Sequence, residues 1–468
     1  MIEHNKVDAF PAKAFFVKML TRDISLEDAI MDLIDNCVDG IIRTKWATGI
    51  PEEMEKPYEG FHASITIDGN KFSIEDNCGG IPMDIALEYA FKMGRKNQRD
   101  SDIPTVGVYG IGMKRALFKM GKQSTVYSKT DKDSFVVEIN SEWLDDDETW
   151  SLPLETVTAR KNENGTLIEV VDLYDNISES YASITFINKL ITLIQHHYSF
   201  IIQKGFSIKV NNTVVEPVVM KLLVNDNLEG EVIAPYIYKA DIDGVNVLLE
   251  VGFYRNLPNE DEIDDEQVSR RTKEGAGWTI ICNDRVVVYK DKTILTGWGE
   301  ANVPSYHNQF IGISGIVIFK SNDSGKLPIT TTKRGIDASS QLYLTVKNRM
   351  REGMKLFTDY TNKWKRDPEK EKEHSQTTTQ KSIQELTVQI PQERWTKLTN
   401  TNPKVKMEER FLPRLPKPSD TNPRRFIRFA RPESEIRVLS EFLLDSPDAS
   451  PSEVGEKCFD KMLEEAKK

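Results

Sequence analysis

Four cysteines in 468 residues, Cys37, Cys78, Cys282 and Cys458, are too few and too scattered for a disulfide framework or a zinc cluster. They read as reduced thiols of a cytoplasmic protein. Nothing in the chain approaches the uninterrupted apolar run of about 20 residues that a membrane helix needs. Ala14 to Leu20 is too short and too charged for a signal peptide, and no small-residue cleavage site follows it. The expectation is therefore a protein without membrane association. An excess of basic residues is also missing. The net charge of −11 argues against wholesale coating of nucleic acid and leaves room only for a local basic surface. Internal repeats are absent. What is present is ordinary for a folded chain: 39% hydrophobic and 29% charged residues, over a length sufficient for two or three domains.

Patterning divides the chain. Residues 1–178 mix both periodicities, residues 179–345 read as a second domain, and 346–374 as a long charged helix. A Pro-rich basic linker spans 375–433, and a helical element spans 434–468. In the first part Leu26, Ile30, Leu33, Ile34 and Val38 share one helix face. Ser25 and Asp28 cap its start. His62 to Ile67 and Lys71 to Ile74 alternate around Asp68-Gly69-Asn70 like a hairpin, and strands follow near 123–128, 134–139 and 165–171. In the second part a helical stretch from about Ser180 to Lys204 leads into strands at 207–210, 245–254, 278–288 and 311–319. Glu260 to Glu266 is most simply a solvated acidic loop.

Three motifs carry chemistry. Asp32 and Asn36 lie one turn apart on one helix face. An Asn amide oxygen suits Mg²⁺, which keeps several waters and uses few protein ligands. A carboxylate one turn earlier can orient and deprotonate a water that attacks a phosphate. A solvated acidic face is the plainer alternative. Next, Asp76-Asn77-Cys78-Gly79-Gly80-Ile81 ends a strand. The Asp76 carboxylate can accept from the exocyclic amine of adenine, and the paired glycines let the backbone pass close to the ring; any Asn/Gly turn would look similar. Last, Gly107, Gly110 and Gly112, with Ile111, Met113 and Lys114, form a glycine loop that runs into a helix. Amides at a helix N-terminus are a donor array for phosphate, with Lys114 as a point charge. Each motif alone is weak, and their shared order is stronger.

The set resembles the GHKL ATPases: DNA gyrase B, large heat-shock chaperones, sensor histidine kinases, MutL and MORC proteins. The resemblance implies an α+β fold. Its first part would be a Bergerat-type ATP-binding sandwich, a mixed sheet with helices on one face, followed by a βαβ transducer-like domain and a helical C-terminal extension. It implies ATP and Mg²⁺ as cofactors, Asn36 as the metal ligand, and Asp32 and Lys333 as catalytic residues. Asp76, Gly80 and the loop Gly107, Gly110, Ile111, Gly112, Met113 and Lys114 would hold the nucleotide. Thr166, in Asn164-Gly165-Thr166, would support Asp76 through its hydroxyl. Asp84 to Thr105 would be a lid. Leu327 to Gly335 is similar to a switch loop whose lysine, here Lys333, crosses to the γ-phosphate; a surface lysine after a strand edge is the alternative. Asn283-Asp284-Arg285 resembles a transducer turn. The overall likeness is to a stand-alone MORC- or MutL-type protein over about residues 1–345.

Two positions depart from the pattern. Relatives carry Glu where Asp32 stands, one methylene longer, so turnover could be slow. Asp35 is set about 100° per residue around the helix from that face and is a poor substitute. Cys78 replaces a glycine and fits as a small buried thiol. His196-His197, followed by Tyr198-Ser199, lacks the context of a phosphoacceptor histidine, which excludes the kinase reading.

Two functions remain. One is Mg²⁺-dependent ATP hydrolysis that drives lid closure and a clamp, in a DNA-processing or phage-defence assembly. The other is a non-hydrolysing ATP-binding scaffold that recruits a protein partner through its tail. Nucleotide-dependent dimerisation, with residues 1–25 as an exchanging strap, is expected in either case. Residues 404–431 hold nine Lys/Arg, three Asp/Glu and interleaved phenylalanines. They would be an arm for nucleic acid or a segment that wraps a partner or the chain's own body.

Overall fold

The computed structural model describes residues 12–467 except 48, 52–53, 93–110, 159–162, 259–274, 331–332, 366–367, 400–401, 419–426 and 428. It forms two compact units, Met1–Lys417 and Pro418–Lys468.

The larger unit begins with α1 (Lys13–Arg22) and α2 (Leu26–Lys45), and a short α3 (Met83–Ile85) precedes α4 (Gly112–Met120). Ser25 starts α2 by accepting the Asp28 N–H at 3.1 Å, with acidic residues in its first turn and Arg43 and Lys45 in its last, as the helix dipole prefers. Eight strands follow: β1 (His62–Ile67), β2 (Phe72–Asp76), β3 (Gly121–Lys129), β4 (Ser134–Ile139), β5 (Leu154–Thr156), β6 (Gly165–Leu173), β7 (Ser207–Val210) and β8 (Thr213–Val214). They form one mixed sheet in the order β5-β4-β3-β6-β2-β1-β7-β8. Alternation along β1 buries Ala63, Ile65 and Ile67. These residues join Ile30, Ile34 and Val38 of α2, Ala116 and Leu117 of α4, and Leu190 and Ile194 of the helix Ile184–His197 in one core.

Strand β7, grouped by sequence with the second domain, belongs to this first sheet. It pairs in parallel with β1 and buries Ile208 and Val210 in the first core. A parallel neighbour needs a long crossover, and the helices between Asp175 and Gln203 supply it.

The second sheet has the order β13-β12-β14-β11-β10-β17-β16. Its strands are β10 (Tyr236–Ile242), β11 (Val245–Phe253), β12 (Gly277–Cys282), β13 (Arg285–Asp291), β14 (Ile313–Lys320), β16 (Thr396–Lys397) and β17 (Val405–Phe411), while β9 (Lys221–Asn225) and β15 (Thr378–Ser382) pair separately. Among the described residues its one parallel pair is β12 and β14, with the β13 hairpin strand and two 3₁₀ turns between them. The helix Gln341–Trp364 buries Tyr343, Val346, Met350, Met354, Phe357 and Tyr360, at three- and four-residue steps, in this sheet's core.

Two segment assignments change. The charged helix ends at Trp364, and a second begins at Pro368. A proline has no N–H and biases its predecessor away from helical backbone. The Pro-rich stretch from 375 is also not a plain linker. Strand β15, the helix Ile383–Gln389 and strand β17 are formed there, because Ile383, Leu386, Ile390 and Phe411 are buried. The first part of the supposed nucleic-acid arm is thus a sheet strand that pairs with β10. Its buried Glu408 takes Arg349 at 2.7 Å.

The smaller unit contains the helices Glu433–Leu444 and Pro451–Ala466, the second opened by a Ser450–Glu453 capping box. No helix among the described residues is long and apolar enough to cross a membrane.

Candidate functional site

Strand β2 delivers Asp76 to its end, and the chain must then turn at once. Gly79 and Gly80 do so at φ +96° and +72°. A Cβ on Gly80 would lie 2.1 Å from the Lys129 carbonyl oxygen, so only glycine fits. Asp76 is buried, and its Oδ1 accepts from the Cys78 N–H at 2.7 Å and the Thr166 N–H at 3.3 Å. Thr166 therefore supports the carboxylate through its main chain, where the resemblance implied the hydroxyl. Cys37 and Cys78 are both buried. The Cys37 Sγ lies 3.6 Å from Asp76 Oδ2, and burial first, then Asp76, pushes this thiol well above its ordinary range. Gly165 explains the residue before Thr166: its Cβ would sit 1.9 Å from the Asp76 carbonyl oxygen. Gly165→Ala is expected to lower the urea midpoint by the equivalent of about 1–3 kcal/mol, since core overpacking costs that much; an unchanged midpoint would refute the contact.

Helix α2 forms the opposite wall. Asp32, Asn36 and Asp39, with Asp76, Gly80, Ile111, Gly112, Met113, Thr166 and Lys333, line one cleft of about 210 Å³. The three motifs therefore converge as far as the described residues reach. Asn36 is exposed to the cleft, and Asp32 is buried in its wall. Gly107, Gly110 and most of the expected lid lie outside the described residues.

The cation that α4 presents to the cleft is Arg115, not Lys114. Lys114 does not line the cleft; its buried ammonium donates to the carbonyl oxygens of Ala90 at 3.0 Å and Lys92 at 2.6 Å. The next residue, Arg115, sits about 100° further round the helix and does line it. Its Nη2 donates to Asp32 Oδ2 at 2.6 Å. Helix phase decides between the two, and that phase is set where α4 starts, at Gly112.

Strand β13 and the loop after β14 bring two more cations. The tight β12–β13 turn, with Asn283 and Asp284 at positive φ, puts Arg285 Nε 2.9 Å from Asp35 Oδ1. Lys333 Nζ lies 2.9 Å from Asp35 Oδ2 and 3.8 Å from Asp32 Oδ1. Tyr198 Oη donates to Asp35 at 2.6 Å. The neighbouring Asp284 receives Lys204 at 2.6 Å and Tyr58 at 3.0 Å. Asp35, set aside as a substitute for Asp32, is thus the fully buried anchor between α2 and the second sheet. Burial works against its charge, but Lys333, Arg285 and Tyr198 outweigh burial and hold its carboxyl below the usual range. Asp32 goes the other way. Burial is its largest influence and, with Asp35 nearby, raises its carboxyl against the pull of Lys333 and Arg115. Two carboxylates three residues apart are thereby split into a fixed anion and a more basic group, the split that acid–base chemistry requires.

Sequence reasoning missed Arg115 and Tyr198, set Asp35 aside, and met Arg285 only as part of the Asn-Asp-Arg turn. Among the described residues no group of three or more His, Cys, Asp and Glu side chains could hold a metal. A metal in the cleft would rest on Asn36 with few other protein donors, the coordination Mg²⁺ accepts beside phosphate. Residues 24–172 match the family described as histidine kinase-, DNA gyrase B- and HSP90-like ATPase. No curated protein matches the chain.

Proposed function

Residues 24–172 are a GHKL-type ATPase domain, and from that premise we propose that the chain is an ATP-gated conformational switch. Domains of this family bind ATP with Mg²⁺ and hydrolyse it. Asp76 would accept from the adenine amine, with Gly80 giving the ring close approach. Asn36 would hold the metal, which supplies charge neutralisation for the phosphates. The first turn of α4 would face the phosphates with its N–H groups. Asp32 would take the proton of the attacking water.

One observation carries the switch: Lys333, from the loop after β14, lines the same cleft as Asp32 and Asp76. Its partner Asp35 fixes it there at 2.9 Å. A terminal phosphate would compete with Asp35 for this ammonium, so occupancy of the cleft and the seating of the second sheet are linked. Titration with Mg·ATP tests the reading. Wild type is expected to bind. Asp76→Asn is expected to lose about 10- to 100-fold in affinity, the worth of a charge-assisted hydrogen bond. Wild type without affinity would refute it.

The finer assignment is a MORC- or MutL-type component of a DNA-processing or phage-defence assembly, dimerising on nucleotide. A protein partner would dock on the C-terminal helices, which expose Phe442, Phe459 and Met462. The alternative, a non-hydrolysing scaffold, draws support from the short side chain of Asp32 and its ion pair with Arg115.

A further inference from the structure

We infer that Arg115, beside Lys333, is a residue by which this cleft distinguishes a nucleoside triphosphate from the diphosphate; this rests on the ATP reading. Arg115 stands one turn into α4, and long helical side chains lean toward the N-terminus. Its guanidinium therefore reaches back over Gly112. There a Cβ would lie 3.2 Å from the Asp32 carboxylate, so α4 and α2 meet at this point. Nη2 donates to Asp32 Oδ2 at 2.6 Å. The Nε–H is buried and has no hydrogen-bond partner among the described residues. Arg115 thus has donor capacity left over at the wall of the cleft.

The cations of the cleft are engaged unequally. Asp32 and Asp35 face Arg115, Lys333 and Arg285, and Asp39, which lines the same cleft, also draws on Lys333. Arg285 and Lys333 are both engaged on Asp35, and Lys114 is turned to main-chain carbonyls. Among the described residues Arg115 is held by Asp32 alone, the carboxylate assigned to the attacking water. The phosphate next to that water is the terminal one, which a diphosphate lacks. A planar guanidinium binds phosphate oxygens in pairs. When Arg115 turns onto the terminal phosphate, Asp32 loses its closest cation and becomes a better base. The same contact that selects the triphosphate also frees the base that cleaves it.

The test measures dissociation constants of ADP and of the β,γ-imido analogue of ATP, each with Mg²⁺, for wild type, Arg115→Gln and Asp32→Asn. Arg115→Gln is expected to weaken the triphosphate analogue about tenfold, the scale of one charge-assisted contact, and to leave ADP within about twofold. Asp32→Asn is expected to tighten the triphosphate analogue several-fold, since Arg115 no longer has to leave a carboxylate. Equal losses for both nucleotides in Arg115→Gln, or none, overturn the assignment. If that variant does not melt cooperatively, Asp32→Asn decides, and an unchanged or weakened triphosphate affinity overturns it. Wild type that binds neither nucleotide overturns this inference together with the ATP reading. Wild type that binds both, with an unaltered preference in Arg115→Gln, removes Arg115 alone.

Discussion

Asp32→Asn is expected to cut phosphate release by about 10²- to 10⁴-fold, the usual contribution of a positioned general base, with nucleotide binding retained. The expectation follows from the environment of the side chain. Asp32 lies in the cleft wall between Arg115 at 2.6 Å and Lys333 at 3.8 Å. Two cations so close would ordinarily make a carboxylate a weak base, yet burial and the neighbouring Asp35 outweigh them and leave its proton affinity raised. A base works only when deprotonated. The wild-type rate should therefore fall as pH drops through a value above the ordinary aspartate range of about 3.9, and the residual rate of Asp32→Asn should lack that limb. Single-turnover phosphate release across pH checks both statements. A wild type that binds Mg·ATP and releases no phosphate, indistinguishable from Asp32→Asn, would instead establish the scaffold.

The walls of this cleft were largely readable from sequence because each is local. A period near 3.6 placed Asp32 and Asn36 together on α2, a period of two with Asp68-Gly69-Asn70 set the β1–β2 hairpin, and β2 had to end at Asp76. What could not be read were the long-range partners. Arg285 and Lys333 meet Asp35 across 250 and 298 residues of sequence, and no local pattern records such a pairing. Asp35 does not line the cleft, yet three residues along a helix keep it beside Asp32, and the Lys333 ammonium reaches both. The helical-wheel argument said nothing of such a partner. The exchange of Lys114 for Arg115 has a different origin. Side-chain direction follows helix phase, and Ala90 and Lys92 offered carbonyl oxygens that a motif match does not contain. Strand β17 was hidden by its charges, since Glu408 and Arg410 mask a strand whose Phe411 is in a core.

Asp35→Ala is expected to destabilise the larger unit by about 3–5 kcal/mol, the cost of leaving a buried charge without its partner. Here two cations are stranded at once: Arg285, which is almost fully buried, and Lys333. Burial raises the Asp35 carboxyl, and the two cations together with the Tyr198 hydroxyl outweigh it and leave it lowered. That sign fixes the pH dependence. A carboxylate with a folded pKa below its unfolded value stabilises fully above the unfolded value, about 3.9, and loses that contribution as pH falls through the folded one. Urea unfolding should thus show the largest gap between wild type and Asp35→Ala near neutrality, and the gap should close in acid. Asp32, displaced in the opposite direction, contributes with the opposite sign and is less displaced once Asp35 is gone, since Asp35 is one cause of its shift. A gap below about 1 kcal/mol, the range of an exposed ion pair, would mean that Asp35 is not the anchor. A gap that widens in acid would contradict the charged cluster itself. The switch depends on this anchor: a ligand can draw Lys333 away only from a partner that holds it, and the strength of the Asp35 contact sets how much differential binding a terminal phosphate must supply.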